Sequence, residues 1–275
     1  ANPNYEISIT KQYFEKMAKE AKLLPSSEIA FRQLHLNQWV SSLSGWMTDD
    51  EWMKSSGEVD IEQLRGRECY AGLDLAQVED VCAFVLVFPF DDGVLKVLPF
   101  FFVSESAVER RRNQTGGSYD NFVSRGELIV TDGNSTDYEV IKNKIFECAE
   151  AFDLKSIAYD RWNSNALINQ LSEQGIETDP FGQGFISMTA PIKNAEVMIK
   201  KRKLHHGGNA MLRWMVSNVV AKRDDAENIK FSKSKAGDKI DGVVALIMAI
   251  GEKMTIEKSD QSGVSVYEDS EIRFI

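Results

Sequence analysis

Tyr70-Ala71-Gly72-Leu73-Asp74-Leu75-Ala76 sets a single carboxylate in the middle of an apolar run. Leu73, Leu75, Val81, Ala83, Val85 and Val87 are the odd positions of two stretches, Glu68 to Ala76 and Val81 to Phe88, dense in the β-branched and aromatic residues that strands favour. Asp74 is therefore expected inside a core strand. A carboxylate there must be protonated, or must face a cation or hydrogen-bond donors, because an unpaired buried charge is costly. The plain alternative is a strand-end Asp that caps a neighbouring backbone group. Two similar acids downstream favour the first reading.

Outward from this stretch the pattern continues as a meander. Val94 to Val103 reads as a third strand, and Asp91-Asp92-Gly93 before it is a tight-turn signal. Ser104 to Gly126, with Arg110-Arg111-Arg112 and Gly116-Gly117, reads as a short helix and a mobile loop that could cover a site. Leu128 to Thr131 is a short strand. After Asp137, the stripe Tyr138, Ile141, Ile145, Ala149 and Phe152 marks a helix. Ser156 to Tyr159 is strand-like and delivers Asp160 at its end, before a helix from about Asn163 to Gln174 that Gly175 closes. Ile176 to Asp179 reads as a further strand, and helices are expected near Ile192 to Leu204 and Ala210 to Ala221. Lys239 to Ile250 is apolar almost all round, so a buried helix is expected there with Asp241 in its first turn.

This order implies an α/β fold in which the Ser156 to Tyr159 strand lies beside the first. The chain divides into a helical arm (1–66), a main domain (67–255) and a flexible tail (256–275). In the arm, Thr48 and Glu51 have capping-box spacing, Trp39, Trp46 and Trp52 read as a small apolar docking cluster, and Ser55-Ser56-Gly57 reads as a joint.

At 275 residues and 43% apolar content the chain can bury a large core. No run reaches the roughly 18 to 20 apolar residues of a membrane span, and the amino end carries no signal-peptide pattern. Cys69, Cys82 and Cys148 are odd in number and form no C-x-x-C pair, which implies a reduced, cytosolic setting. The formal net charge is −10, yet Lys193 to Lys239 holds twelve Lys or Arg against five Asp or Glu, a local +7. A polyanion could dock on that face, although a lysine run such as Lys200-Lys201-Arg202-Lys203 is also what a solvated helix surface looks like.

Asp74, Asp160 and Asp241 come from two strands and a helix that share one sheet. Gathered together they would repel one another and raise each other's pKa unless divalent cations neutralise them. Oxygen ligands with few His or Cys nearby suit Mg²⁺ or Mn²⁺ rather than Zn²⁺. Two such ions are a known solution for attack of water on a phosphodiester. For Asp241 alone, stabilisation by the helix dipole is the simpler explanation.

Residues 70 to 255 resemble the nuclease domain of the large terminase subunit of tailed bacteriophages, within the ribonuclease H-like superfamily. The resemblance rests on Gly72-Leu73-Asp74-Leu75 with Asp80 after it, Thr131-Asp132-Gly133-Asn134 with Asp137-Tyr138, and Ala158-Tyr159-Asp160-Arg161-Trp162. It continues through Gln183-Gly184-Phe185, His206-Gly207-Gly208-Asn209, Leu212-Arg213-Trp214-Met215, Ser217-Asn218 and Lys239 to Leu246. Ala1-Asn2-Pro3-Asn4 and Leu36-Asn37-Gln38-Trp39 are similar to the segment that links that family's two domains. Each motif is weak alone; the order and spacing carry the match.

The resemblance implies a ribonuclease H-like mixed sheet, three antiparallel strands then parallel ones, flanked by helices. It implies a metal-dependent endonuclease that cuts concatemeric phage DNA during genome packaging, with Asp74, Asp160 and Asp241 as catalytic metal ligands for two Mg²⁺ or Mn²⁺ ions. Asp80 and Asp238 are candidates to support those ligands, with a turn former and a helix cap as their simpler roles. Arg161, Lys193, Lys200, Lys201, Arg202, Lys222, Arg223, Lys233 and Lys235 are candidate DNA contacts as a group. Expected partners are double-stranded DNA, the viral portal or procapsid, the small terminase subunit and an ATPase domain of the same protein, in the bacterial host cytoplasm and away from membranes. No G-x-x-x-x-G-K-[ST] loop is present, so no ATP site is expected in this chain, which would be a piece of a longer protein. A junction resolvase or transposase-like nuclease, and a non-catalytic DNA or procapsid docking module, are the competing readings. His205-His206 lacks ligand spacing and is expected in a turn beside the active face.

Overall fold

The computed structural model describes residues 10–23, 31, 45–75, 80–115, 118–161, 165–226, 228–234 and 238–262. In the arm, α1 is Lys11–Leu23 and α2 is Asp49–Lys54. The Thr48 side chain accepts from the Glu51 backbone N–H while Glu51 reaches back to the Thr48 N–H, so the capping box forms. Trp46 and Trp52 are buried with ring centroids 6.5 Å apart; Trp39 lies outside the described residues.

The main sheet begins with β1 (Glu68–Asp74), β2 (Cys82–Pro89) and β3 (Leu95–Ser104), an antiparallel meander. Next come α3 (Glu105–Thr115), α4 (Ser118–Ser124), β4 (Ile129–Thr131), α5 (Tyr138–Ala151) and β5 (Asp153–Tyr159). They are followed by α6 (Asn165–Glu173), β6 (Thr178–Pro180) and α7 (Phe185–Lys200). The chain continues through β7 (Leu204–His205), α8 (Ala210–Ser217), β8 (Val219–Arg223), β9 (Ile229–Lys233) and α9 (Asp241–Ser262). The strand order is β4-β3-β2-β1-β5-β6, with β7 also on β3 and with β5 and β6 parallel to β1. This is the mixed sheet expected from the sequence.

Both faces of the sheet are covered, which is why β2 is buried at nearly every position. Cys69, Ala71, Leu73, Phe84 and Leu86 pack with α5 and α6 residues such as Ile141, Ile145 and Leu171. Tyr70, Ala83, Val85, Ala158 and Phe101 pack on the opposite side with Val243 to Ile250 and with α7 and α8. No helix among the described residues is long and apolar enough to cross a membrane, and Cys69, Cys82 and Cys148 are all buried.

Four elements differ from the sequence expectations. The helix expected over Ile192 to Leu204 starts earlier, at Phe185, and stops at Lys200. The one expected over Ala210 to Ala221 ends at Ser217, and Val219–Arg223 forms a hairpin with Ile229–Lys233 instead. Ser104 to Gly126 holds two helices, joined at residues 116–117 outside the described set. Residues 256–262, expected in a flexible tail, continue α9; the rest of that tail lies outside the described residues.

The seat of α9 on β1 depends on Gly72. A Cβ there would stand 1.9 Å from the Ala245 carbonyl oxygen, so only glycine lets the helix backbone lie directly on the strand. At its other end α9 is tied by buried Glu252, which hydrogen-bonds with Ser156 of β5 and Asp179 of β6. Burial, foremost, pushes the Glu252 carboxyl up to about 7, and the Asp179 carboxylate adds to the rise.

Gly72→Ala should destabilise the fold by roughly 1–3 kcal/mol or more, as overpacking of a close contact does, measurable as a lower midpoint in urea denaturation. Glu252 favours folding in its protonated form, because its folded pKa lies above its unfolded value. That contribution is complete below about 4.5 and is lost as pH rises through about 7. Glu252→Gln should therefore gain stability over the parent chain on going from about pH 4.5 to about pH 8, by on the order of 1 kcal/mol or more. Denaturation at the two pH values checks this.

Candidate active site

Three chain segments bring their acids to one end of the sheet. Gly72 pairs with Ala158 and Leu73 with Tyr159, so Asp74 and Asp160 are neighbours at the ends of parallel strands. Gly72 and Ala158 lie on the face covered by α9, and two positions along, about 6.7 Å, Asp74 and Asp160 return to that face. Ala245 sits over Gly72, and one turn back along α9, about 6 Å, is Asp241. The two repeats match, so the helix carries its acid over the two strand acids.

The electrostatics report the same proximity. The Asp74 carboxyl is raised well above the ordinary carboxylate value, first by burial, then by the negative charges of Asp241 and Asp160. Gln183 opposes this by donating from Nε2 to Asp74 Oδ1 at 3.3 Å, and Lys233 opposes it through its charge. Asp241 is pushed up to about 6 by burial, foremost, and by Asp80, against the pull of Lys233 and Lys239. Its Oδ2 is buried without a hydrogen-bond partner, and its Oδ1 lies 3.9 Å from Lys233 Nζ.

Asp80 joins this group. Its Oδ1 accepts from the Val81 N–H, as in a turn, and the carboxylate also forms ion pairs with Lys239 and, at 3.7 Å, with Lys233. Asp238 precedes Asp241 by three positions and is half-buried at the same end. A hard, all-oxygen donor set with an orphaned buried carboxylate oxygen is chemically suited to Mg²⁺ or Mn²⁺. Among the described residues, however, no group of three or more His, Cys, Asp or Glu stands in an arrangement that could hold a metal ion. The side chains here answer to the two lysines instead.

The basic residues separate into sets. Arg161 follows Asp160 directly and is exposed. Lys193 is exposed midway along α7, whereas Lys200, Lys201 and Arg202 lie at the far end of that helix, about 24 Å from its start. Lys222 and Arg223 are exposed near the tip of the β8–β9 hairpin, where Lys222 faces Lys230 in register and Lys230 Nζ lies over the Phe185 ring at 4.6 Å. Thr189 ties the hairpin to α7: its Oγ1 accepts from the Ile229 N–H at 2.8 Å and donates to the Phe185 carbonyl at 2.6 Å. Lys235 and Trp162 lie outside the described residues.

His205-His206 is not beside the acids. β7 pairs with β3 at Leu95 and Lys96, whereas Asp74 pairs with Ala83, which pairs with Phe101, about 20 Å further along β3. His206 is buried, stacked on Trp52 at 4.0 Å with Nε2 2.9 Å from the Trp52 carbonyl, and so clamps the arm. Burial holds its pKa below the ordinary histidine value. Ser55 Oγ also donates to the Leu204 carbonyl, so the expected joint is a docked segment.

Two participants were not legible as such. Gln183 stood out only within a motif, and Lys233 only as one basic residue among many. The signal for Gln183 was its setting between Gly182 and Gly184 before a helix.

The family model described as "Terminase large subunit, endonuclease domain" matches residues 1–257. The chain is 35% identical over 253 residues to the terminase large subunit of Enterobacteria phage HK97, covering 91% of this chain and 50% of that protein. It is 29% identical over 273 residues to protein YmfN of Escherichia coli (strain K12), covering 94% and 60%. The crystal structure of the HK97 bacteriophage large terminase superposes with a TM-score of 0.69 at 33% identity, over 91% of this chain and 52% of that one. The chain thus spans between half and three-fifths of the length of these curated relatives.

Crowding three acids carries a stability cost. Asp74→Asn should raise the melting temperature in chelator by a few degrees near neutral pH. The gain should shrink as pH falls toward about 3.8, where the raised Asp74 carboxyl no longer penalises folding. Thermal denaturation across that range is the check.

Proposed function

The chain belongs to the terminase large subunit endonuclease domain family, and on that premise we propose that it cuts double-stranded DNA by divalent-metal-dependent hydrolysis of a phosphodiester. The observation that carries this reading is the convergence of Asp74, Asp160 and Asp241 from β1, β5 and α9 at one end of the sheet. Asp74, Asp160 and Asp241 are the catalytic residues in this reading and would hold two Mg²⁺ or Mn²⁺ ions. Bound there, such ions supply positive charge for activating water and for stabilising the leaving oxygen.

The chain's own groups prepare that chemistry. Gln183 holds one oxygen of Asp74 by donating to it from Nε2. Lys239 neutralises Asp80, so the fourth carboxylate does not add its full charge to the cluster. The exposed Arg161, Lys193 and Lys222 are, as a group, the candidate phosphate contacts, of the kind that position a duplex without reading its sequence. Lys200, Lys201 and Arg202 would meet DNA only where it extends beyond the site. The full-length protein would act on concatemeric viral DNA during genome packaging, alongside an ATPase domain, the small subunit and the portal.

Nicking of supercoiled plasmid in Mn²⁺ tests the reading. Asp74→Asn, Asp160→Asn and Asp241→Asn should each reduce the rate by about 10²-fold or more, the scale for loss of a preorganised charged group, with the fold retained. Undiminished cleavage by any of the three would remove that residue from the catalytic set. Preferential cutting of branched over linear duplex would favour a junction resolvase.

A further inference from the structure

Two lysines face the acids, and they are held differently. Lys239 is 12% exposed in its side chain, stands two residues before the start of α9, and is in close contact with Asp80. Lys233 is 38% exposed, ends β9 of a separate two-stranded sheet, and stands off at 3.7 Å from Asp80 and 3.9 Å from Asp241. Lys239 is therefore a fixed partner. Lys233 is a loosely engaged one, with four rotatable methylenes and an open route to solvent.

Its charge reaches the heart of the cluster. Standing 3.7 Å from Asp80 and 3.9 Å from Asp241, the ammonium already supplies these acids with part of the positive charge that a bound cation would bring. A divalent cation approaching Asp241 meets that ammonium as a like charge, and the two compete for the same oxygens. A displaced ammonium on this face can turn to a phosphate, since the exposed Arg223 lies on the same face of the hairpin as Lys233.

We propose that Lys233 is the resting counter-ion of the acidic cluster, and that a divalent cation bound at Asp241 displaces it toward a DNA phosphate. The proposal rests on the reading of the three acids as cation holders. It makes Lys233 a coupling residue: metal and DNA each favour the arrangement that the other needs, and by linkage the coupling is reciprocal.

The test is binding, not turnover. Mn²⁺ is titrated calorimetrically into the parent chain, Lys233→Gln and Lys233→Arg, with Asp241→Asn as the control that removes a proposed ligand. Lys233→Gln should bind Mn²⁺ roughly two- to fivefold more tightly, the scale of a partly exposed ion pair, and Lys233→Arg should stay close to the parent. Equal or weaker Mn²⁺ binding by Lys233→Gln, with Lys233→Arg binding normally to report an intact site, overturns the proposal while leaving the acids as metal ligands. If the parent chain itself binds no Mn²⁺, or Asp241→Asn binds it as well as the parent, the reading of the acids falls and the proposal with it.

Duplex DNA supplies the second measurement, with Ca²⁺ as the probe cation. The slope of log affinity against log salt should be smaller by about one for Lys233→Gln than for the parent in Ca²⁺, the signature of one lost phosphate contact. In chelator the two slopes should agree. Equal slopes in Ca²⁺ would show that the ammonium does not move to phosphate, and overturn the proposal.

Discussion

The contact between the Ala245 carbonyl and Gly72 is the constraint from which the site follows. A helix normally stands off a sheet by the length of its side chains. Here it lies backbone on backbone at one point, and the register is locked there because a single Cβ cannot be admitted. Gly242 reinforces the seat, since a Cβ on it would meet the Phe101 ring at 2.4 Å and the Met215 sulfur at 2.9 Å. With the helix pinned at these two positions, the first residue of α9 has no freedom to drift from the strand ends. The parallel pairing of β1 with β5 fixes the third acid independently. Convergence of the carboxylates is thus a property of backbone packing, and side-chain rotation only refines it.

Such packing forces like charges together, and the surroundings offset them by several small means. One amide, two ammonium groups and the backbone at the start of α9 each draw the acids part of the way back toward ionisation. None is a full bidentate partner. A cluster left short of positive charge can accept a cation, whereas one satisfied by arginine forks could not. The reading as a nuclease and the resting role of Lys233 draw on this same shortfall.

Much of this was legible in the sequence because the fold writes it locally. Alternation of apolar residues gave the meander, and an apolar stretch with Asp241 at its start gave α9. Asp160 was found because a carboxylate directly after a short β-branched and apolar run marks a strand end. The β8–β9 hairpin was not found, since Val219 and Val220 extend the apolar pattern of α8 and only Asn218 interrupts it. Four of the ten residues in its two strands are Lys or Arg, which reads as a solvated surface. The distinct role of Lys233 depends on that hairpin's placement against α7 through Thr189, a contact between residues 40 positions apart. No local pattern records it. His206 was misread for the same reason: its environment is Trp52, 154 positions away.

The sheet's margins have a consequence for assembly. β3 is shielded along its outer side by β7 at one end and β4 at the other, and the stretch between them contains Pro99, which brings no N–H. On the opposite margin β6 is three residues long and ends in Pro180. Neither side is a template on which a foreign strand can grow, the usual route to runaway aggregation between neighbouring copies. The main sheet therefore discourages strand-to-strand pairing between copies at either of its margins.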